Sequence, residues 1–288
     1  MFKRQRTGSV VCPSCGSLVG VNDEQCYTCG RRNPGVWGFA PLLRRLGNDL
    51  GFVPFVVYGC SALYAIGLIV TVAFGGNVMG GGGLFSLLSA HPLINRAFGA
   101  SGAVPVFVNG MWWTILSAGW LHGGALHILF NMMVLRQLGP AIEDIYGGPR
   151  MVIIYTISSA CGFLLSSCAG VFMPRLPIVG GADFTLGASA AVFGLVGALV
   201  HYGRRGGGSM LRTQATSYAL SMFVFGLIMP GIDNYAHAGG FVGGYLASAW
   251  LDPLTRARPY HFFGAVLCLG LTVMAILASM LTVFPALR

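Results

Sequence analysis

Apolar residues fall into seven long runs along the chain, separated by stretches that are polar or rich in glycine. A helix needs about 20 apolar residues to cross the hydrocarbon core of a bilayer, and most of the runs approach that length. The fourth to sixth runs are shorter or are interrupted by small residues. The runs are roughly Phe52–Phe74, Trp112–Leu138, Met151–Phe172, Leu186–Tyr202, Thr216–Pro230, Tyr235–Leu251 and Phe262–Phe284. This pattern predicts an all-α polytopic membrane protein.

The composition agrees with that prediction. Hydrophobic residues make up 55% of the chain, charged residues only 9%, and the mean hydropathy is +0.72. A soluble domain carries about a quarter charged residues. The N-terminus stays polar for about fifty residues before the first apolar run, so we expect no secretory signal peptide.

The formal net charge of +9 comes from basic clusters that lie between the apolar runs. That distribution is typical of the positive-inside bias of membrane proteins, and it argues against a nucleic-acid partner. With the N-terminus in the cytoplasm, every Lys and Arg except Arg96, Arg175 and Arg288 falls inside. We therefore expect a multi-pass protein of a bacterial-type inner membrane, with the N-terminus cytoplasmic and the C-terminus outside.

The first two runs are separated by a long outside loop, Gly75 to Met111. The loop contains the glycine run Gly80–Gly83 and the apolar pairs Leu84-Phe85 and Leu87-Leu88. A loop of this length is usually functional or disordered. Its apolar content predicts a piece that lies against the membrane surface.

Four cysteines near the N-terminus occur in the stretch CPSCGSLVGVNDEQCYTC, as Cys12, Cys15, Cys26 and Cys29. Two C-x-x-C pairs, each followed by glycine, can surround a tetrahedral Zn²⁺. Two disulfides are the alternative, which a reducing cytoplasm disfavours. Four thiolates leave no open coordination position, so we expect one structural zinc ion and no catalytic cofactor.

Polar residues inside apolar spans are costly and therefore informative. In GWLHGGALHILFNMM, His127 and Asn131 are four residues apart and share a helix face, and His122 precedes them. These side chains could stabilise an anion, or they could form hydrogen bonds between helices. Taken alone, the stretch does not decide between the two.

A single hydroxyl begins the fourth span, in Gly187-Ala188-Ser189-Ala190. Ser189 falls in the first helical turn, near free backbone amides and the positive end of the helix dipole. A helix built for close packing is the alternative, because small residues recur every four positions, at Ala190, Gly194 and Ala198.

The sixth span contains a histidine beside paired glycines, in DNYAHAGGFVGGYLA. Small residues four apart allow close helix packing, here Gly239 with Gly243 and Gly240 with Gly244. If the neighbour is the fourth span, His237 meets Ser189, although a lone histidine can also be a structural group. Together the three stretches supply a nucleophile, a general base and an oxyanion hole in the outer halves of their spans.

The motifs HILFN, GASA and AHAGGFVGG, in this order, closely resemble the rhomboid family of intramembrane serine proteases. The resemblance extends through LGPAIEDIYGGPRMVIIY and covers about Trp112 to Leu251. It implies a six-helix bundle with one extra C-terminal helix. It further implies a Ser189–His237 dyad, an oxyanion hole made by His127, Asn131 and the Ser189 amide, and a supporting role for His122.

The chain departs from the family pattern at three positions. Ala190 follows the serine where the family usually has glycine, a change we expect to preserve catalysis. Trp113-Thr114 stands where the family's outer loop usually has Trp-Arg. Phe193 takes a place often held by a tyrosine that packs on the histidine, so the ring is kept without its hydroxyl.

We therefore predict an intramembrane serine endopeptidase whose partners are membrane lipids and transmembrane protein substrates. The predicted parts are a zinc-ribbon-like segment at 1–35, a linker at 36–51, a catalytic domain at 52–251 and a seventh helix within 252–288. The zinc segment could bind a cytoplasmic protein partner. The alternatives are an inactive scaffold for transmembrane helices and a zinc transporter, the latter disfavoured because no intramembrane carboxylate joins the histidines.

Overall fold

A computed structural model of the chain describes residues 4–12, 15–40, 51–79, 87–173, 181–206, 208–229, 231–255 and 258–287. The glycine run Gly80–Gly83, the Leu84-Phe85 pair, Arg175 and most of the predicted linker 36–51 lie outside these residues. The chain folds as two compact units, Met1–Phe55 and Val56–Arg288.

The N-terminal unit is built on a two-stranded antiparallel sheet. Strand β1 (Ser9–Val11) pairs with β2 (Leu18–Gly20), with Val10 opposite Val19. A 3₁₀ turn follows at Val36–Gly38. The small core of the unit consists of buried apolar and cysteine side chains: Val10, Cys12, Val19, Val21, Cys26 and Ala40.

The second unit is mostly helical in the part of the chain that the structure describes, which confirms the predicted all-α fold. In chain order the described α-helices are α1 (Phe52–Ala73), α2 (Pro92–Ala97), α3 (Thr114–Ser117), α4 (Ala125–Tyr146), α5 (Gly148–Phe172), α6 (Ser189–Arg205), α7 (Ser209–Ile228), α8 (Asn234–Trp250) and α9 (Pro259–Val283). Short π or 3₁₀ turns lie at Val104–Val108, Ala118–Trp120 and Phe284–Leu287.

The predicted second span, Trp112–Leu138, is wrong at both ends. The residues before Gly124 form the short helix α3 and a 3₁₀ turn, and α4 begins only at Ala125, after Gly124 in an extended conformation. At the other end α4 continues through Pro140 to Tyr146. Hydropathy counts apolar side chains and does not register a backbone break at glycine, which explains the error. His122 consequently precedes α4 instead of lying on it.

Four of the described helices are long and apolar enough to cross a membrane by length and composition: α1, α4, α5 and α9. The helices α6 and α8 are shorter, with 17 residues each. Every residue of α6 from Ala190 to His201 is buried. A helix enclosed on all sides by other helices needs small residues for packing more than long apolar side chains for lipid.

The helices α6 and α8 run parallel and in backbone contact. A Cβ atom built on Gly240 would lie 2.0 Å from the carbonyl oxygen of Ala190, and one on Gly244 would lie 2.0 Å from that of Gly194. The contacts occur in the same order along both helices, so the two share a direction. The pair Gly240 and Gly244 therefore has the packing function that the sequence predicts.

The other glycine pair of α8 faces α5. A Cβ on Gly239 would lie 2.8 Å from the carbonyl oxygen of Cys161, and one on Gly162 would lie 2.5 Å from that of Ala236. Residues later in α8 contact residues earlier in α5, since Gly243 lies against Cys161 and Ser158. The helix α5 is therefore antiparallel to α8.

Helix α4 runs in the same direction as α6 and α8. Tyr146, its last residue, contacts Ala198 and Ser248 late in those helices, whereas His127 in its first turn lies beside Gly187. We call the end of the bundle where α4, α6 and α8 begin the site end.

Candidate active site

Ser189 is the first residue of α6. The loop that leads into α6 is held by backbone hydrogen bonds to the chain between α1 and α4. Ser101 and Thr185 exchange two such bonds, of 2.7 and 2.9 Å, and the Gly187 N–H donates to the Ala118 carbonyl at 2.9 Å. These bonds fix the position of Ser189 at the site end, where first-turn amides have no intrahelical acceptor.

Gly187 places Ser189 and His127 beside one small space. Its φ is +133°, and a Cβ atom on it would lie 2.5 Å from His127 Nε2 and 3.7 Å from Ser189 Oγ. Only a glycine fits there, because the imidazole already occupies the position of a side chain. Gly187 is thus required for the approach of His127 to the serine.

The hydrogen bonds of α4 orient two donors. His127 Nδ1 accepts from the Gly123 N–H at 3.4 Å, so the neutral ring carries its proton on Nε2, the atom that faces Gly187. Asn131 Nδ2 donates to the His127 carbonyl at 2.9 Å and keeps a second N–H. Both side chains can therefore donate to an anion at the site end.

His237 lies in the first turn of α8 and is only 6% exposed. Its imidazole stacks on the ring of Phe193, with centroids 4.1 Å apart and an interplanar angle of 15°. Among the described residues its Nδ1 has no hydrogen-bond partner. Ala190 and Ala236, the neighbours of Ser189 and His237, belong to one buried cluster, so the starts of α6 and α8 meet.

His122 lies just before α4 and is 2% exposed. Neither ring nitrogen finds a partner within the described parts of the chain. The ring meets that of His127 edge to face, at 5.1 Å between centroids. It also lines a cavity of about 10 Å³, together with Tyr64, Asn95 and Phe98. The structure thus places His122 against His127.

An aspartate that our sequence analysis did not select caps the helix of His237. Asp233 Oδ1 accepts from the Ala236 N–H at 2.9 Å, and Oδ2 accepts from Ser166 Oγ at 2.5 Å. Ser166 Oγ in turn accepts from the Ala182 N–H in the loop before α6, at 3.4 Å. An aspartate before an apolar helix is a common N-cap signal, so the sequence carried the information.

A second polar cluster, also not predicted, joins the opposite ends of the same helices. Tyr146 OH donates to the Ala198 carbonyl at 2.9 Å and lies 2.8 Å from Ser248 Oγ, which lies 2.7 Å from His201 Nδ1. Because a phenol has one proton, Ser248 donates to Tyr146 and accepts from His201. The chain of bonds fixes α4, α6 and α8 relative to one another.

The four N-terminal cysteines form one cluster whose sulfur atoms all lie within 4.8 Å of one another. Cys12 and Cys29 Sγ are 3.8 Å apart, and Cys15 and Cys26 Sγ are 3.6 Å apart. A disulfide needs about 2.05 Å, whereas four sulfurs at about 2.3 Å around a tetrahedral ion lie about 3.8 Å apart. The cluster can therefore hold a metal ion, and its donor set fits one that prefers thiolates.

Local hydrogen bonds prepare one of these thiols for ionisation. The hydroxyl and the backbone of Ser17 hydrogen-bond with the Cys15 sulfur and lower the pKa of that thiol from 9.0 to about 6. Burial raises the pKa of the Cys26 thiol.

A sequence model of the Rhomboid domain matches residues 109–253. Rhomboid protease GluP of Bacillus subtilis (strain 168) is 34% identical over 181 residues, which are 62% of this chain and 33% of that protein. RHOMBOID-like protein 4 of Arabidopsis thaliana is 33% identical over 184 residues, or 61% of this chain and 42% of that protein.

A third relative, Inactive RHOMBOID-like protein 8 of Arabidopsis thaliana, is 30% identical over 135 residues, or 45% of this chain and 35% of that protein. The chain thus spans less than half the length of each of these relatives. The domain match includes the starts of α4, α6 and α8, the helices that carry the predicted residues. The chain belongs to the rhomboid family and is an integral multi-pass membrane protein.

Proposed function

We propose that the chain is an intramembrane serine endopeptidase that cleaves transmembrane segments of other proteins through an acyl-enzyme. The observation that carries the proposal is the convergence of Ser189, His237 and His127 at the starts of three parallel helices. The name of the GluP relative, a rhomboid protease, agrees with it.

In the proposed reaction, His237 removes the Ser189 hydroxyl proton while Oγ attacks the scissile carbonyl carbon. The developing oxyanion accepts hydrogen bonds from His127 Nε2–H, the Asn131 amide and the Ser189 N–H. His237 then gives its proton to the leaving amine, which breaks the C–N bond. Water attacks the resulting ester, His237 takes one proton from that water, and the proton returns to Ser189 as the acid product leaves.

A transmembrane substrate hides its carbonyls in its own helical hydrogen bonds, so it must unwind locally before attack. We infer that preferred substrates carry helix-breaking small residues near the membrane face where the site end opens.

The positive-inside distribution of Lys and Arg assigns the site end to the outside of a bacterial-type inner membrane, with the N-terminus in the cytoplasm. A reporter enzyme that is active only outside the cytoplasm should therefore be active when it is fused to the C-terminus.

An inactive scaffold that binds transmembrane helices is the second candidate, since one relative is named as inactive. The presence of both Ser189 and His237, with their helix starts in contact, favours the protease.

We further propose that Cys12, Cys15, Cys26 and Cys29 hold one structural Zn²⁺. The sulfur separations and the C-x-x-C-G turns support it: the Gly16 and Gly30 amides donate back to the Cys12 and Cys26 carbonyls at 2.9 and 2.8 Å. Bound zinc would crosslink the two turns. A cytoplasmic partner for this unit stays a sequence-based prediction. Metal analysis after reducing purification should find about one zinc per chain, and a value near zero would contradict the assignment.

Labelling with a serine-directed fluorophosphonate tests the protease proposal. Wild-type protein in liposomes should be labelled at Ser189, and both Ser189→Ala and His237→Ala should abolish labelling. Ser217→Ala, which changes an exposed serine on α7, is the matched control and should label normally. Labelling that persists in Ser189→Ala, or that never occurs in folded wild-type protein, would refute the proposal.

A further inference from the structure

The seventh helix predicted from the sequence, α9, makes a polar contact with the chain that leads towards the candidate site. Trp113 Nε1–H donates to Ser279 Oγ at 3.0 Å. Ser279 in turn donates to the Ala275 carbonyl at 2.9 Å, and the residue is fully buried. The hydroxyl is therefore held by its own helix in the position where it accepts from the indole.

Gly99 fits between this serine and a second one. Its φ is +101°, and a Cβ atom on it would lie 2.8 Å from Ser279 Oγ and 2.2 Å from Ser117 Oγ. Ser117 Oγ donates to the Gly99 carbonyl at 2.8 Å. A substitution at Gly99 would therefore force α9 and α3 apart.

Ala118, the residue after Ser117, directly contacts the loop that leads into α6. The Ala118 carbonyl accepts the Gly187 N–H at 2.9 Å, and Gly187 is the residue whose α-carbon faces His127 Nε2 and lies two positions before Ser189. Four contacts thus connect α9 to the site. They join Ser279 with Trp113, Ser279 with Gly99, Ser117 with Gly99, and Ala118 with Gly187.

Apolar packing follows the same route. One buried cluster contains Ile94, Phe98 and Leu121, the residue before His122. The partly buried residues against it come from α1, from α9 and from the loop before α6, and those of the last two include Ile276, Met280 and Leu186. Phe284 adds an edge-to-face contact with Phe98, at 6.5 Å between centroids.

We propose that α9 is a functional part of the site and that Ser279 is a positioning residue. Ser279 holds the segment 99–118 in place, and this segment in turn holds Gly187 and Ser189. The inference rests on the proposed protease function for its activity readout. It assigns a role to a helix that lies outside the matched domain, residues 109–253.

Two substitutions remove the contact from either side. Ser279→Ala and Trp113→Phe should each slow fluorophosphonate labelling of Ser189 about fivefold, since a lost hydrogen bond is worth about 1 kcal/mol. The double variant should be no slower than either single variant, because both remove the same bond. The turnover number of a transmembrane substrate should fall by the same factor while its KM stays within twofold.

Matched controls lie next to each position. Trp112→Phe changes the neighbouring indole, which is half exposed and meets Phe107 edge to face. Leu281→Ala changes a side chain on α9 that is 77% exposed. Both controls should label at the wild-type rate. Labelling within twofold of wild type in Ser279→Ala and Trp113→Phe, or equal slowing in the controls, would overturn the proposal.

Hydrogen exchange separates this inference from the protease proposal. In a Ser189→Ala background, which has no activity to lose, Ser279→Ala should speed amide exchange in residues 181–188 and leave α8 unchanged. If wild-type protein is never labelled but this local change is seen, the protease proposal fails and the positioning role of Ser279 stands. Unchanged exchange at 181–188, or faster exchange throughout the bundle, counts against the positioning role itself.

Discussion

The imidazole of His237 lies face to face with the ring of Phe193, 4.1 Å away at 15°. Phe193 is four residues after Ser189 on the buried helix α6, and His237 is in the first turn of α8. The stack therefore orients the candidate base from the helix that carries the candidate nucleophile. The Phe193 side chain is apolar, so this orientation depends on packing of the ring and not on a hydroxyl.

Replacing that ring should impair the reaction without unfolding the bundle. Phe193→Leu keeps most of the volume but removes the stack, which is worth about 0.5–1.5 kcal/mol. We expect fluorophosphonate labelling to slow about 2- to 13-fold, with the thermal midpoint within a few degrees of wild type. Phe193→Tyr keeps the ring and should label within twofold of wild type. Equal rates for Phe193→Leu and wild type would show that the stack does not orient His237.

Backbone contact between α6 and α8 makes Gly240 intolerant of any side chain. In Gly240→Ala the new methyl group would lie 2.0 Å from the Ala190 carbonyl oxygen, which cannot move without moving α6. We expect a loss of about 1–3 kcal/mol of stability from overpacking and loss of labelling, because the starts of the two helices separate.

Gly270→Ala on α9 is the matched control for that change. Nothing lies within 4 Å of the position that its Cβ would take. Alanine in a helix interior should gain about 0.5–1 kcal/mol over glycine there. Thermal unfolding in detergent should thus move in opposite directions for the two variants, and a stable, active Gly240→Ala protein would contradict the observed packing.

The sequence predicts most of the helices and the residues at the site end because both depend on local patterns. Apolar runs mark the helices, and a histidine or serine among small residues is conspicuous in an apolar span. The start of α4 is missed because Gly123 and Gly124 break the backbone inside a run that is still hydrophobic. The first turns of α7, which begins at Ser209 instead of Thr216, are missed because they are polar.

The contacts that orient the side chains depend on tertiary geometry that no local pattern encodes. The proton position on His127 follows from the hydrogen bond that the Gly123 amide donates to its ring. The series of contacts from Ser279 to Gly187 joins residues that are far apart in the sequence. Small residues every four positions indicate close packing. They do not say that Gly240 and Gly244 face α6 while Gly239 and Gly243 face α5.

Two substitutions of Asp233 should distinguish the effect of its N-cap hydrogen bond from the effect of its charge. Asp233→Ala leaves the Ala236 N–H and the Ser166 hydroxyl without their acceptor, and N-cap loss costs about 1 kcal/mol. Asp233→Asn keeps a side-chain oxygen for Ala236 and offers an N–H to Ser166 Oγ. We expect lower thermal stability and slower labelling for alanine, and near wild-type values for asparagine. A loss in asparagine as large as in alanine would indicate that the charge, not the cap, matters.

Metal-free protein should reveal the unequal thiols of the N-terminal cluster. The hydrogen bonds of Ser17 lower the pKa of Cys15 to about 6, so above that pH this thiol is largely thiolate. The thiolate is the nucleophile. After chelation, iodoacetamide at pH 7 should therefore alkylate Cys15 before Cys26, whose pKa burial raises. The rate at Cys15 should fall as the pH is lowered through about 6.

Two variations test the physical cause of that reactivity. Ser17→Ala removes the hydroxyl that lowers the pKa of Cys15 most, so alkylation at pH 7 should slow while Cys26 is unaffected. Added Zn²⁺ should protect all four cysteines together, because each sulfur belongs to one cluster. Peptide mass spectrometry measures each site separately. Equal alkylation of Cys15 and Cys26 in the metal-free protein would show that the hydrogen bonds of Ser17 do not hold Cys15 in its reactive form.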